Sequence, residues 1–395
     1  MTSGGITHPE PGGRRSRQPE PGDSGRRGGG RGGGSGRPGP GVGQGGGQRP
    51  RASRWILAAA LAAAVGITAA VLITEHPASR PSARGGPSSS AGSTGPTTGS
   101  GGGSKLPTGA FVPAHGALFG AYAQPAGGYS YSQFESAIMQ LERGIHRKLA
   151  IDNLYAPWAH PMPIRIAQWD LKQGTIPMIS WAGANTSQIA SGAYDRMFRV
   201  SAIQLRDLHG PVMLRWFYEM EGSAARSMVR SPASYIAAWR HVHDIFARAG
   251  ASNVSWVWCP NALHFFDGVA QSYYPGGRYV SWICADGYNW APKLARAPWK
   301  SFADIFSAFY SWGIRANKPL MIGEFGVLER SAGEKAAWYR RTDRQLRTMF
   351  PAIRAVVYFN SDHQGFDWRM TTSPSALAAF RAFATDPYFR AMPRV

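Results

Sequence analysis

Two glutamates, Glu219 and Glu324, each lie at the end of a short apolar run that predicts a buried strand. A single carboxylate in such a place can be a structural ion pair, but two that face each other can divide a reaction between them. A protonated carboxyl group donates a proton to a leaving oxygen, while an ionised one attacks carbon or activates water. The pair therefore predicts a two-carboxylate hydrolytic site.

Arg215, four residues before Glu219, indicates which glutamate takes which role. Alternation along the strand puts Arg215, Phe217 and Glu219 on one side, so the arginine can reach the site. A buried guanidinium near Glu324 would hold that carboxylate ionised. A carboxyl group that faces another in a partly dry cleft has a raised pKa. We therefore expect Glu324 to be the nucleophile and Glu219 the acid.

Strands must position these residues, and the chain offers eight candidates separated by longer amphipathic runs. Short, nearly continuous apolar strands between helices indicate parallel pairing that is buried on both faces. Eight such units within 109–395 fit the usual size of a (β/α)8 barrel. An open doubly wound sheet is the alternative, but no glycine-rich phosphate loop follows the first strand. The predicted fold class is therefore α/β, a (β/α)8 TIM barrel.

The sequence gives approximate bounds for these elements. The predicted strands are Leu118–Tyr122, Leu149–Tyr155, Ile176–Trp181, Val212–Phe217, Val254–Trp258, Val280–Asp286, Leu320–Glu324 and Ala355–Phe359. The predicted helices are Tyr131–Lys148, Pro163–Gln173, Tyr194–Leu208, Pro232–Ala249, Ser301–Trp312, Ser331–Met349 and Pro374–Thr385. A further helix, after Pro260, is poorly marked.

In such a barrel, functional residues gather at the carboxyl ends of the strands. The fourth and seventh strands carry Glu219 and Glu324 and face each other across the barrel mouth. Aromatic residues are concentrated at the same rim and offer flat apolar faces to sugar rings, so the predicted chemistry is glycoside hydrolysis. Asn153 and Trp181, at the ends of the second and third strands, are candidate substrate-binding residues.

Three segments carry a family resemblance: RWFYEMEG (215–222), DGYNW (286–290) and KPLMIGEFG (318–326). With them the chain resembles glycoside hydrolase family 26, the β-mannanase-like members of a large clan of retaining barrel hydrolases, over most of 115–390. The resemblance implies a glycosidase of the endo-β-mannanase type that needs no cofactor or metal. It implies that Glu219 is the acid/base, that Glu324 is the nucleophile, that Arg215 and Tyr288 support the nucleophile, and that Tyr218, Trp290 and Trp368 bind sugar.

The chain departs from the family pattern at two positions. The family usually has His before the acid/base, where this chain has Tyr218, and Asn two residues after it, where this chain has Glu221. The histidine belongs to a sugar-binding subsite of mannan-active members, so its replacement bears on mannan specificity more than on the carboxylate pair. Glu221 has the same strand parity as Glu219 and is the alternative acid.

Composition divides the rest of the chain into distinct segments. Residues 1–54 hold 19 of the 49 glycines and carry a net charge of +7, so we expect a disordered Arg/Gly/Pro-rich tail. Residues 55–74 contain no charged residue and are long enough to cross a bilayer as one helix. Residues 75–108 are rich in Gly, Ser, Thr and Pro and predict a flexible linker. Residues 109–395, with a net charge of +11, form the predicted enzyme.

The arginines next to the apolar segment lie mainly on its N-terminal side, which predicts a single-pass membrane protein with a cytoplasmic N-terminus and an extracellular barrel. A cleaved signal peptide is the alternative, and it would also export the barrel. The tail has no aromatic residues between its arginines, so we expect no nucleic-acid partner. The expected partners are a polysaccharide substrate, the membrane and an anionic wall polymer, and we expect a monomer.

Cys259 and Cys284 fall near the ends of neighbouring strands, where either a disulfide or two buried thiols would fit. His241 and His243 cannot share a helix face, and His264 with Asp267 gives only a weak cation site, so we expect no metal. A catalytically silent glycan-binding protein on the same barrel and an adhesin that binds by charge alone are the alternative functions.

Overall fold

The structure, a computed structural model, describes residues 111–158, 160–291, 293 and 297–389. The predicted tail (1–54), membrane segment (55–74) and linker (75–108) lie outside these residues. Within the described ranges, no helix combines the length and the apolar character needed to cross a membrane.

The described residues form a closed barrel of eight parallel strands in sequential order, which confirms the predicted fold class. Its last strand pairs with its first along six residues, from Leu118 with Ala355 to Ala123 with Asn360. The strands are β1 (Leu118–Ala123), β2 (Ile151–Ala156), β3 (Ile176–Trp181), β4 (Val212–Trp216), β5 (Val254–Trp258), β6 (Trp282–Asn289), β7 (Leu320–Val327) and β8 (Ile353–Asn360).

Helices surround the barrel and follow most strands. They are α1 (Tyr131–Ile145), α2 (Ile164–Gln173), α3 (Thr186–Ala190), α4 (Asp195–Arg206), α5 (Pro232–Arg248), α6 (Val269–Ser272), α7 (Phe302–Gly313), α8 (Glu334–Met349) and α9 (Pro374–Ala384). The poorly marked helix after β5 is one short turn, α6, behind a 3-10 turn at Ala262–Phe265. Local signals set several of the bounds: Pro232 begins α5 behind a Ser231 capping box, and Gly174 ends α2 in the left-handed region at φ 78°.

Strand alternation separates two cores. Ile151, Met178, Met213 and Val257 belong to the interior of the barrel, whereas their neighbours in sequence pack between the sheet and the helices. Side chains at every second position of a strand therefore point toward the barrel axis. This parity decides which strand-end residues can meet at the mouth, except in β7, where a register shift between Ile322 and Phe325 turns Glu324 inward as well.

Asp152 of β2 and Asp170 of α2 form a buried carboxyl pair outside the barrel interior. They are 1% and 0% exposed, and Oδ2 of Asp152 and both side-chain oxygens of Asp170 have no hydrogen-bond partner among the other described residues. Two carboxyl groups can share a hydrogen bond only if one of them holds a proton. Burial raises the pKa of Asp152 to about 8, and the negative charge of the nearby Glu142 adds to this effect. Burial also raises the pKa of Asp170 well above its usual range, and the charge of Asp152 adds to it.

This pair makes stability depend on pH. Between about pH 4 and pH 8 the folded chain keeps a proton that the unfolded chain has released, so the free energy of unfolding falls as pH rises, by about 1.4 kcal/mol per pH unit per proton. Asp170→Asn should flatten this slope, because the amide can donate to an ionised Asp152. Urea unfolding at intervals from pH 5 to pH 8 measures it. Asp207→Asn, at an exposed carboxylate, is the control and should leave the slope unchanged; an unaltered slope in Asp170→Asn would contradict the shared proton.

Candidate active site

Glu219 lies in a tight turn that follows β4. The strand ends at Trp216, earlier than predicted, and both Phe217 and Glu219 have φ of 47°, in the left-handed region. Phe217 therefore packs outward against Trp216 and Tyr235, so the predicted alternation of Arg215, Phe217 and Glu219 on one side is wrong at Phe217. Glu219 is held from the neighbouring strand, because its N–H donates to the carbonyl of Cys259 at 2.8 Å.

Glu324 of β7 accepts hydrogen bonds from three side chains. Arg215 and Tyr155 donate to its Oε1, the latter at 2.5 Å, and the hydroxyl of Tyr288 donates to its Oε2. The carboxyl group is 5% exposed and so opens to the barrel mouth only narrowly. Donors on both oxygens fix the plane of the group, which suits a nucleophile.

Arg215 is fully buried and connects two acids inside the barrel. Its Nη1 donates to both carboxylate oxygens of Asp286, at 2.9 and 2.8 Å, and its Nη2 donates to Glu324. Burial alone would lower the pKa of Arg215, but Asp286 and Glu324 outweigh burial and raise it well above the usual range. The guanidinium therefore stays charged, and one cation serves two carboxylates.

Ser180 and Asn153 form a second line of contacts behind Arg215. The Nε of Arg215 donates to the hydroxyl of Ser180 at 2.7 Å, and that hydroxyl donates to Oδ1 of Asn153 at 2.6 Å. Asn153 is 0% exposed. The structure therefore places this candidate substrate-binding residue beneath the arginine, where it positions Arg215.

Glu219 is 7% exposed and faces Glu324 and Arg215. Burial raises the pKa of Glu219 to about 7 and the charge of Glu324 adds to the effect, while a hydrogen bond from Asn261 opposes it. The raised pKa agrees with the expectation for an acid. A protonated Glu219 opposite a hydrogen-bonded Glu324 can divide acid and nucleophile roles between them.

The aromatic residues predicted to bind sugar fall into two groups. Tyr218 covers Arg215, whose Cζ lies 4.2 Å from its ring centroid, and Trp290 is partly exposed beside Tyr288. Trp368 is fully buried and backs both Tyr288 and Trp290, at 4.8 and 5.0 Å between centroids. Of these rings, Trp290 is the one placed to offer a face at the mouth.

Trp181 is not brought to the site. It is 0% exposed and packs between the sheet and the helices, stacked on Trp158 and edge-on to Phe198. Its neighbour Ser180 points inward, so strand parity sends Trp181 outward. A side chain with no exposed surface cannot present a platform to a sugar ring.

Sequence reasoning missed Tyr155 and Asp286 as site residues, although both were visible at strand ends. Tyr155 shares the parity of Asn153 on β2 and reaches Glu324, and Asp286 on β6 takes the other side of Arg215. The alternation of side chains within each strand could have identified both residues, because each lies an even number of positions from another inward-facing residue of its strand. Asn261, just beyond β5, carried no comparable signal because the chain turns there.

A disulfide joins Cys259 and Cys284 beneath the acidic residues, which decides between the two alternatives for these cysteines. Gly323 of β7 lies directly against it: a Cβ at this position would come within 2.3 Å of one sulfur and 2.7 Å of the other. With Asp286 the two cysteines form the cluster of possible metal ligands found among the described residues. The cluster does not fit a metal ion, because the sulfurs are bonded to each other and Asp286 is paired with Arg215.

Comparison with known proteins places this site in a family context. The model of glycosyl hydrolase family 26 matches residues 182–323. The matched stretch includes Arg215, Glu219 and Tyr288 and ends one residue before Glu324.

The curated relative is Endoglucanase H of Acetivibrio thermocellus, 33% identical over 261 residues. The match covers 62% of this chain and 29% of that protein, so the chain spans under a third of its relative's length.

Solved structures share the fold. A GH26 β-mannanase from Bacteroides ovatus superposes with a TM-score of 0.53 at 14% identity, covering 70% of this chain and 90% of that one. A β-mannanase from a symbiotic protist of the termite Reticulitermes speratus, complexed with a gluco-manno-oligosaccharide, gives 0.51 at 14% identity, covering 71% and 95%. The comparisons support a glycosidase. The resemblance of this barrel to glycoside hydrolase family 26, predicted from three short segments, is confirmed.

Proposed function

We propose that the barrel is a retaining glycoside hydrolase that cleaves a β-linked polysaccharide of the β-mannan or β-glucan class. One observation carries the proposal: Glu324 is held by three donors, while Glu219, which faces it, has its pKa raised to about 7. An acid that is protonated near neutral pH and a fixed carboxylate are the two groups that double displacement requires.

In the first step Glu324 attacks the anomeric carbon and the glycosidic C–O bond breaks, with the proton of Glu219 passing to the leaving oxygen. In the second, Glu219 takes a proton from water, which attacks the glycosyl ester and releases Glu324. Arg215, Tyr155 and Tyr288 hold the carboxylate of Glu324 in line. For retention, the two carboxyl groups should lie roughly 5 Å apart; about 8–9 Å would indicate inversion.

The substrate class rests on the relatives and on the shape of the rim. The curated relative is named an endoglucanase, and the two solved structures described above are named β-mannanases. Trp290, partly exposed beside Tyr288, supplies an apolar face for a pyranose ring. Tyr218, in the place where the family usually has histidine, covers Arg215 and is 8% exposed, so it shapes the floor of the subsite.

We further propose that residues 55–74 anchor the barrel in the cell membrane, with 1–54 cytoplasmic, 75–108 as the tether and 109–395 outside as a monomer. The asymmetry of arginine around the apolar segment supports this orientation. The Cys259–Cys284 disulfide also supports export, because disulfides persist in oxidising compartments. The net charge of +11 on 109–395 favours contact with an anionic wall polymer.

A substrate screen tests the proposal. The full-length protein should release soluble sugars from β-mannan or mixed-linkage β-glucan, with xylan as the comparison polymer, and NMR of the first product should show the β-anomer before mutarotation. An initial α-anomer would point to inversion. Tight, salt-sensitive retention on these polymers without any hydrolysis would instead favour a glycan-binding protein.

A further inference from the structure

Glu221 is a buried acid that the proposed mechanism does not use. It is 9% exposed, and its Oε1 accepts a hydrogen bond from the backbone N–H of Asn261 at 2.5 Å. Its buried Oε2 has no hydrogen-bond partner in the described part of the chain. Burial, with Glu219 adding to it, raises the pKa of Glu221 to about 8, so near neutral pH the group is a neutral acceptor.

Asn261 connects Glu221 to the candidate acid. Its Nδ2 donates to Oε1 of Glu219 at 2.9 Å, and its Oδ1 accepts from the N–H of Leu263 at 3.0 Å. Its backbone N–H is held by Glu221, and it bridges in parallel to Asp286 of β6. The amide is therefore fixed at its backbone and at both side-chain ends.

The contact decides which oxygen of Glu219 can carry the proton. Oε1 faces the N–H of Asn261, and an oxygen that accepts from this donor is a poor place for a hydrogen that must leave toward the substrate. The proton of the neutral acid therefore lies on Oε2. We propose that Asn261 and Glu221 are positioning residues for the acid/base, which fix the carboxyl plane of Glu219 and assign its proton to Oε2.

The inference rests on the proposed role of Glu219. Other charged and titratable groups also face Glu219 and Glu221 and influence their pKa values. Glu219 faces Glu324 of β7 and Arg215 of β4. Glu221 faces Asp267 in the loop after β5. The negative charge of Glu221 also contributes to the raised pKa values of Tyr235 on α5 and of Tyr273. Tyr218 and, on β6, Asp286 also face Glu219. Asn261→Ala replaces none of these side chains, but it removes the contact to the N–H of Leu263 together with the one to Glu219. Glu221→Ala leaves the Asn261 side chain in place, so an effect common to both variants reports the contact to Glu219.

The test measures Glu219 directly and independently of turnover. In full-length protein labelled with ¹³C at the glutamate carboxyl group, the Glu219 signal is assigned by its loss in Glu219→Gln and titrated by NMR. Asn261→Ala and Glu221→Ala should raise the pKa of Glu219 above the wild-type value, because the donor on Oε1 is lost or misplaced. In both, kcat should fall roughly fivefold to tenfold with little change in KM.

Conservative replacement separates a hydrogen bond from a charge. Glu221→Gln keeps an oxygen that can accept from Asn261 and should restore the wild-type titration and kcat. Glu142→Gln is the matched control, because Glu142 is also a buried glutamate that accepts a backbone N–H, from Leu149, far from the site.

Three outcomes would overturn the inference: a wild-type Glu219 titration in Asn261→Ala, wild-type kcat in both alanine variants, or a loss in Glu221→Gln as large as in Glu221→Ala. If Glu221→Ala does not fold, as judged by near-ultraviolet circular dichroism, Asn261→Ala decides. A wild-type protein without glycosidase activity would refute the proposed function, whereas the titration would still test the positioning.

Discussion

Glu324→Ala should lower kcat on the polysaccharide by roughly 10⁴-fold or more, while the protein still binds it. The glycosyl ester cannot form without the carboxylate, and nothing else among Arg215, Tyr155 and Tyr288 can replace it as a nucleophile. Reducing-sugar release measures the loss, and affinity electrophoresis in the same polymer measures binding. Activity that survives the substitution would refute the assignment of Glu324.

Two companion experiments sharpen this result. Glu329→Gln is the control, because Glu329 follows β7 and accepts hydrogen bonds from Thr372 and Ser373 without contact to the acidic pair. It should leave kcat unchanged. In Glu324→Ala the missing carboxylate leaves room for a small anion, so azide should restore turnover of an activated β-glycoside and give an α-glycosyl azide. A β-azide would place the nucleophile elsewhere.

Glu219→Gln should lower kcat on the polysaccharide by roughly 10²- to 10⁴-fold and remove the alkaline limb of the pH profile. The acid is protonated below its raised pKa of about 7, so the wild-type rate should fall as pH rises through that value. A substrate with a good leaving group needs no proton for the first step, so its kcat/KM should fall much less, although its kcat still falls because Glu219 is the base of the second step. Profiles of kcat/KM from pH 5 to pH 9 on a polymer and on an aryl glycoside measure both effects.

The same profiles separate Glu219 from the alternative acid. Glu221 has a pKa raised to about 8, one hydrogen bond from Asn261 N–H and no other partner on its second oxygen in the described residues. If Glu221→Gln abolished the alkaline limb while Glu219→Gln kept it, Glu221 would be the acid. We expect the reverse.

Periodicity predicted the barrel because burial on both faces leaves a simple pattern. The bounds of β3 and β5 were predicted correctly, since polar or turn-forming residues flank these short apolar runs. The end of β4 was not, because Phe217 and Glu219 adopt a left-handed backbone that residues with side chains rarely take. Contacts from both neighbouring strands hold this turn: the N–H of Phe217 donates to the carbonyl of Trp181 on β3, and the N–H of Glu219 donates to the carbonyl of Cys259 just after β5.

The site could be predicted where strand parity alone places the residue and not where a contact across strands decides. Arg215 follows from parity. Glu324 does not, because Met321 and Gly323 already face the interior, and a register shift between Ile322 and Phe325 brings Glu324 to the same side. Trp181 and Asn153 were chosen for their residue type, although the inward Ser180 shows that Trp181 points away. The chain from Glu221 through Asn261 to Glu219 depends on a turn after β5, which no local pattern encodes.

The close approach of Gly323 to the disulfide restricts the order in which these positions can change during evolution. A methyl group there would come within 2.3 Å of the sulfur of Cys284 and 2.7 Å of that of Cys259. Alanine at 323 is therefore admissible only after a sulfur has been lost, and the cysteines can enter only a chain that already has glycine there. The three positions must change in a fixed order, and among homologues we expect both cysteines to occur together with glycine beside the strand-seven glutamate.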